Sequence, residues 1–547
     1  MPSHLRRAGR MTTRFFEVAP EPNAEVCAFF GWAAGNDTIP RMRTDAGVTG
    51  ELQGGAPPRV EEVSLFKILA KKELGLVLLV SAAILIPCFW QRHIQAGDLA
   101  SHVYNAWLAQ LVGEGKAPGV YAVWQWKNVL FDLMLLKLGK IFGFGAAEKI
   151  AVSLCVLVFF WGVFTLIGVA TRKRPWLLVP GLTMLAYSYV FYMGFMNYYL
   201  SLGLACLGLA ALWHGERRGI LIAVVLAPLV LLAHPLGFLW LAAAGTYRLL
   251  WPRMRGWAEW LPPAVAIGIG LVVRWVLARH PEFQPDWPDA PFLKWNGADQ
   301  FWVFRPETRY VALAMVVFVV VATLLDLLPL RREKGNGKER RLFPEFYAVA
   351  FCLTSLLPEN LRPDENAGWI GLLVTRLTLI SAIFAFCWLG TLRPRKWHLL
   401  ALGACAAVYF TLVYRDTRPA DRMEESAEKI TRELPPGTRV IATIFEPPDY
   451  RMVALHVVDR ACIGRCFLYS NYEASTKQFR LRVRGGSPVV VGSPDDSDDM
   501  QSGSYEVRDD DLPLKEIYQC DARDWTKLCV RDLKAGEKNG AGEVRPE

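Results

Sequence analysis

The sequence predicts an α-helical polytopic membrane protein of about eleven transmembrane helices, followed by an α/β domain on the extracytoplasmic side. Three observations predict it. Apolar stretches near membrane-crossing length follow one another from Leu74 to Tyr414; Lys and Arg gather in alternate loops; residues 415–547 are polar and hold four cysteines. The 547 residues are 53% apolar, too apolar for a chain of several soluble domains. The mean hydropathy of +0.22 is mild only because two polar ends dilute an apolar body. Composition also excludes collagen, coiled coil, low-complexity disorder and a small disulfide scaffold.

Residues 1–63 mix Gly, Pro and Arg without periodicity and read as a disordered cytoplasmic segment or an over-extended gene start. Residues 64–414 form the transmembrane domain, with spans near 74–90, 150–170, 176–193, 197–213, 220–233, 236–251, 258–277, 310–329, 343–358, 370–390 and 397–414. The apolar run 220–251 is too long for one span, and Ala233-His234-Pro235 splits it into a hairpin. Lys67, Lys71 and Lys72 put the N-terminus inside. Alternation then assigns Arg172-Lys173-Arg174, Arg217-Arg218, Arg253 with Arg255, the run Arg331 to Arg341, and Arg393 with Arg395-Lys396 to the cytoplasm. The opposite loops, at 194–196, around His234, at 278–309 and at 359–369, are poor in basic residues, and the chain ends outside. The net charge of +9 therefore reads as topology and contact with anionic lipids, not as nucleic-acid binding.

Residues 415–547 read as a periplasmic α/β domain. Arg422 to Leu434 is a predicted helix ended by Pro435-Pro436-Gly437; Arg439 to Phe445, Met452 to Val458 and Val489 to Val491 are predicted strands. Cys27, Cys88, Cys155, Cys206, Cys352, Cys387 and Cys405 lie singly in the tail or spans, whereas Cys462, Cys466, Cys520 and Cys529 share the terminal domain. Disulfides 462–466 and 520–529 suit an oxidising periplasm, and the second spacing fits structural zinc poorly. The acidic runs at 495–499 and 509–511 lack the ligand spacing of a calcium loop and read as solvated.

The first outer loop, 91–149, is far longer than most of its neighbours, and loops of such length are usually functional. It opens with Gln95-Ala-Gly-Asp98-Leu-Ala-Ser-His102-Val-Tyr-Asn105-Ala-Trp107. If 98–111 is helical, Asp98, His102 and Asn105 share a face. A second segment, 128–142, has the pattern of an interfacial helix. Asp98 lies just past the outer end of the first span, where a carboxylate can take a proton from an acceptor hydroxyl. The competing role is an N-cap.

A long first outer loop with an acid just after span one, interfacial helices, many further spans and a terminal periplasmic domain resembles the GT-C superfamily of membrane glycosyltransferases. The string around Asp98 and His102 also resembles that of bacterial multi-span proteins grouped near them. The resemblance implies inverting transfer of a sugar from a polyprenyl phosphate to a glycan, lipid or protein acceptor at the outer face, with Asp98 as general base. Many members carry a second acid directly after the first; Leu99 stands there in this chain. A divalent metal, Mg or Mn, stays open.

The leaving phosphate calls for a cationic partner, and Arg376, about two turns inside the outer end of its span, is the candidate, against snorkelling or pairing with Asp364 or Glu365. His234 at the hairpin tip and Asn197-Tyr198 in the neighbouring outer turn face the same side and are candidate substrate contacts; turn and interface roles compete. Aromatic residues of loop 278–309 suit either a lid over an acceptor or a belt at the interface. Asp132 and Glu148 rank lower, as solvated or interfacial acids. Two other classes remain: a transporter or flippase for a lipid-linked glycan, which needs a polar midplane path, and a non-catalytic envelope scaffold. No nucleotide-binding, hydrolase-elbow or zinc-protease motif occurs in the sequence.

Overall fold

The computed structural model describes residues 71–540 apart from 289–290, 328–336, 362–370, 449, 452–455 and 477. The expectations for residues 1–63, and for Asp364 and Glu365 as partners of Arg376, fall outside the described residues.

Helix dominates. The first apolar stretch forms α1 (Lys71–Ile84) and, restarted at Pro87, α2 (Ile86–Phe89). Residues 91–143 hold α3 (Leu99–Gly113), β1 (Val120–Ala122) and α4 (Leu130–Phe142). Then come α5 (Phe144–Thr171), the short α6 (Val179–Ala186) and α7 (Tyr189–Tyr192), and α8 (Met196–Leu212). The hairpin α9 (Arg217–Ala233) and α10 (Pro235–Leu250) turns at His234, since Pro235 cannot continue the preceding helix but suits a first helical position. The body continues through α11 (Leu261–Arg279), α12 (Pro291–Asn296), α13 (Thr308–Leu327), α14 (Gly337–Leu356) and α15 (Leu373–Thr391) to α16 (Lys396–Glu433).

Every apolar stretch is thus helical, but the helices are unequal. Five segments, Phe144–Thr171, Gly256–Arg279, Thr308–Leu327, Leu373–Thr391 and Lys396–Glu433, are long and apolar enough to cross a membrane. The stretch 176–193 breaks between α6 and α7, and α14 begins among charged residues. Outward faces expose large apolar side chains, Leu79 at 66%, Val317 at 60% and Leu400 at 73% among them. Faces of that kind need an apolar cover. Inside, α5 and α8 approach backbone to backbone: a Cβ on Gly162 would lie 2.4 Å from the Gly203 carbonyl oxygen. Small residues permit such contact, and it fixes where the turn before α8 stands.

The expected break at 414/415 is absent. Helix α16 passes through Pro419 without ending, because Asp416, Ala420, Met423, Ala427 and Thr431 form one buried stripe across the boundary. The predicted helix 422–434 is its last part. Beyond it lie β2 (Thr438–Thr443), β3 (Cys466–Leu468), α17 (Tyr472–Ser475), β4 (Leu481–Val483), α18 (Pro494–Ser502), β5 (Lys515–Gln519) and β6 (Leu528–Asp532). The four-stranded sheet has order β3-β2-β5-β6, with β2 parallel to β3 and β5, and β6 antiparallel to β5. Two strand expectations differ: 456–458 is a turn, and 489–491 is irregular, with the Val491 amide bonded to the Tyr469 carbonyl at 2.8 Å. Both stretches are buried in the terminal core without ladder partners. Cys462–Cys466 and Cys520–Cys529 are disulfides.

Helix α3 joins the two parts. Leu99, Val103 and Ala106 belong to the core of the helical body, whereas Tyr104 and Leu108 are buried with Met423, Ala427 and Val440 of the terminal part. The Tyr104 hydroxyl accepts the Leu468 amide at 2.9 Å. Strand β1 pairs antiparallel with β4, Val120 opposite Val483. The segment from α3 to β1 is held between the helical body and the terminal part.

Candidate active site

The start of α3 is fixed by the turn that precedes α8. The amides of Gly97 and Asp98 donate to the carbonyls of Tyr192 and Met193 at 2.8 and 3.1 Å. Gly194, at φ +80°, packs so closely that a Cβ there would fall 2.4 Å from the Asp98 nitrogen. Only glycine satisfies both constraints. Asp98 occupies the N-cap position of α3, yet its side chain makes no capping hydrogen bond. The carboxylate is 28% exposed and lies 3.8 Å from His456 Nε2.

One turn on, His102 Nδ1 meets Asp132 Oδ1 at 2.6 Å. The other oxygen of Asp132 accepts from Asn197 Nδ2 at 2.8 Å, while Asn197 Oδ1 accepts the Phe131 amide at 2.8 Å. Asn197 thereby ties α8 to the first turn of α4 and aims Asp132. Burial disfavours a charge on His102, but the carboxylates of Asp132, Glu473 and Asp98 outweigh it and push its pKa up to about 10. It is an imidazolium at neutral pH. Burial pushes the Glu473 carboxyl up to about 7, with His102 pulling the other way; Ser101 Oγ donates to it at 3.0 Å. Asn105 is buried and exchanges amide hydrogen bonds with Asn471, at 2.8 and 3.4 Å. A cavity of about 20 Å³ beside His102, Asn105, Asp132, Glu473 and Arg480 has room for one water.

Arg376 stands in the first turn of α15. Its guanidinium lies 4.3 Å from the centre of the Phe195 ring, and one nitrogen donates to the Gly371 carbonyl. Nε has no hydrogen-bond partner among the described residues. Glu359, which precedes α15, is paired with Lys294 at 2.7 Å. Tyr198 donates its hydroxyl to the Arg376 carbonyl at 2.6 Å, and its ring lies 5.2 Å from that of His234. His234 Nδ1 accepts the Leu236 amide at 3.1 Å, capping α10 and leaving the proton on Nε2. Burial, then the charges of Arg376 and Lys127, push its pKa down to about 3. This imidazole stays neutral.

Asp98 packs on Gly194 and the Arg376 guanidinium on Phe195, so the Gly194–Phe195 turn stands between the start of α3 and the group formed by Arg376, Tyr198 and His234. Asn197 supports Asp132 from behind, and Asn105 is engaged by the terminal domain. Asp132 is more than a solvated acid, and Glu148 is 3% exposed, 2.9 Å from Arg460 Nε. Phe301 and Phe304 are buried in the body core, which removes them from a lid. The sequence reading missed Gly194, His456, Asp459, Tyr472 and Glu473. A signal for one pair was present in His456-Val-Val-Asp459, an imidazole and a carboxylate three residues apart.

Among the described residues no group of three or more His, Cys, Asp or Glu side chains is arranged to hold a metal ion. The donor set among them does not fit a Mg or Mn site. Comparisons with protein-family models, with characterised proteins and with solved structures return no match for this chain.

Proposed function

We propose that the chain is a membrane glycosyltransferase that moves a sugar from a polyprenyl-phosphate donor to a glycan, lipid or protein acceptor at the outer face of a bacterial inner membrane. The observation that carries the reading is an uncapped, partly open Asp98 carboxylate whose backbone packs on Gly194, next to the Phe195 ring that the Arg376 guanidinium covers. Asp98 takes the proton of the acceptor hydroxyl as its oxygen bonds the anomeric carbon; the bond from that carbon to the phosphate oxygen breaks, and the electron pair leaves with the phosphate. Arg376 offsets the charge that develops there. The Nε2–H of neutral His234 is a further donor on the same side. Disulfides in the terminal domain agree with an oxidising outer compartment, and five long apolar segments agree with anchorage in a bilayer.

The test is transfer from a panel of polyprenyl-phosphate sugars by the full chain in nanodiscs. Wild type should consume at least one donor, and Asp98→Asn should lose about 100-fold or more in kcat with an unchanged melting curve. A folded wild type that consumes none of the panel defeats the reading.

A further inference from the structure

The terminal domain contributes an imidazole that the transfer step above leaves unused. His456 is buried, at 6% exposure, in the turn that leads to Asp459. Its Nδ1 lies 3.2 Å from Asp459 Oδ2, and its Nε2 lies 3.8 Å from Asp98 Oδ1. A carboxylate behind Nδ1 holds the N–H there and leaves the Nε2 lone pair facing Asp98. The ring of Tyr472 packs against the imidazole, with centroids 5.3 Å apart. The charged groups that face it are Asp459 from its own turn, Asp98 from the start of α3 and Glu473 from α17.

Taking Asp98 as the base, as proposed above, we propose that His456 is its proton relay. After Asp98 has taken the acceptor's proton, the O–H bond of the carboxylic acid breaks and a proton reaches the Nε2 lone pair through one water, since 3.8 Å is beyond direct transfer. Asp98 returns to a carboxylate and the imidazolium is held by Asp459; between turnovers the Nε2–H bond breaks and solvent water at the Asp98 opening takes the proton away. No electron leaves or enters. His456 acts through Asp98 and is a positioning residue, supplied by a domain more than 350 residues along the chain, Asp98 to His456.

The relay accepts a proton only as neutral imidazole. Burial works against the imidazolium, but Asp459, Asp98 and Glu473 outweigh it, so His456 holds its proton to higher pH than a free imidazole. It follows that kcat rises with pH through the His456 ionisation, an acid limb above the ordinary imidazole range.

Two measurements on the full chain in nanodiscs decide the matter. Carbon-13 labelling of the 8 histidines, with His456→Gln assigning the signal, gives the titration midpoint without any need for activity. Asp98→Asn should lower that midpoint by about one pH unit; an unmoved midpoint overturns the relay. In the transfer assay, His456→Gln should cut kcat about tenfold or more, leave the donor KM within about twofold and erase the acid limb, and added imidazole should restore His456→Ala. Asp459→Asn, which keeps the imidazole, should move the limb to lower pH and covers the case in which His456 variants misfold. A wild-type pH profile in both His456→Gln and Asp459→Asn overturns the proposal. Should wild type transfer no sugar, the glycosyltransferase reading falls on its own, and the titration alone decides whether His456 and Asp98 share a proton.

Discussion

Gly194 carries no chemistry, yet it decides where Asp98 stands. A side chain at that position meets two penalties, a left-handed backbone at φ +80° and a contact at 2.4 Å with the Asp98 nitrogen. Gly437 has the same φ and open space around its Cβ position, so the pair separates backbone strain from collision. Gly437→Ala should cost about 1 kcal/mol in chemical or thermal unfolding, and Gly194→Ala about 3 kcal/mol, with transfer activity lost only in the second. Equal costs for the two would refute the idea that close packing fixes Asp98. At this scale the sequence was informative where position alone carries meaning. Asp98 stood out by its place after an apolar stretch, and Arg376 by its depth in another. His456 and Glu473 did not, because nothing local says that a turn and a short helix of a polar domain come back to α3.

Helix α3 illustrates what periodicity reveals and what it conceals. A helix over 98–111 is what puts Asp98, His102 and Asn105 on one face in the sequence, and α3 runs from Leu99 to Gly113. Its apolar residues do not form one stripe, since Val103 faces the body core while Tyr104 and Leu108 face the terminal domain. Which partner covers which face is a tertiary fact that no spacing records. The same holds for α16, where Pro419 and the charged residues after Tyr414 suggest a boundary that the buried stripe overrides. Leu108→Ala removes a fully buried side chain from the second core and should cost about 2–5 kcal/mol. In hydrogen exchange the loss of protection should appear in β2 and β5, while α5 and α8 keep theirs. Uniform deprotection would contradict a separate terminal core.

At the scale of the whole molecule, the body and the terminal domain are joined by buried charge as well as by apolar packing. Arg460 meets Glu148 of α5 at 2.9 Å and also pairs with Glu424 of α16, with all three side chains under one tenth exposed. Close by, His93 lies between Asp421 at 2.9 Å and Glu428 at 3.0 Å. Taking such groups out of water is costly, so their mutual attraction contributes little net stability compared with apolar residues of the same volume. Their effect is to select one docking geometry, since any displacement leaves a buried charge without its partner. It is the docking geometry that brings His456 and Glu473 to the start of α3. The two contributions can be separated by substitution. Arg460→Met alone strands two carboxylates and should cost about 3–5 kcal/mol. The triple variant Arg460→Met, Glu148→Leu, Glu424→Leu should recover most of that stability in calorimetry, because no member of the Arg460 cluster is then left buried without its partner. If orientation depends on the charges, the triple variant, though stable, should lose the coupling between Asp98 and the His456 titration. A triple variant that melts as low as Arg460→Met, or one that keeps the wild-type His456 midpoint, would show that the charges do not set the docking.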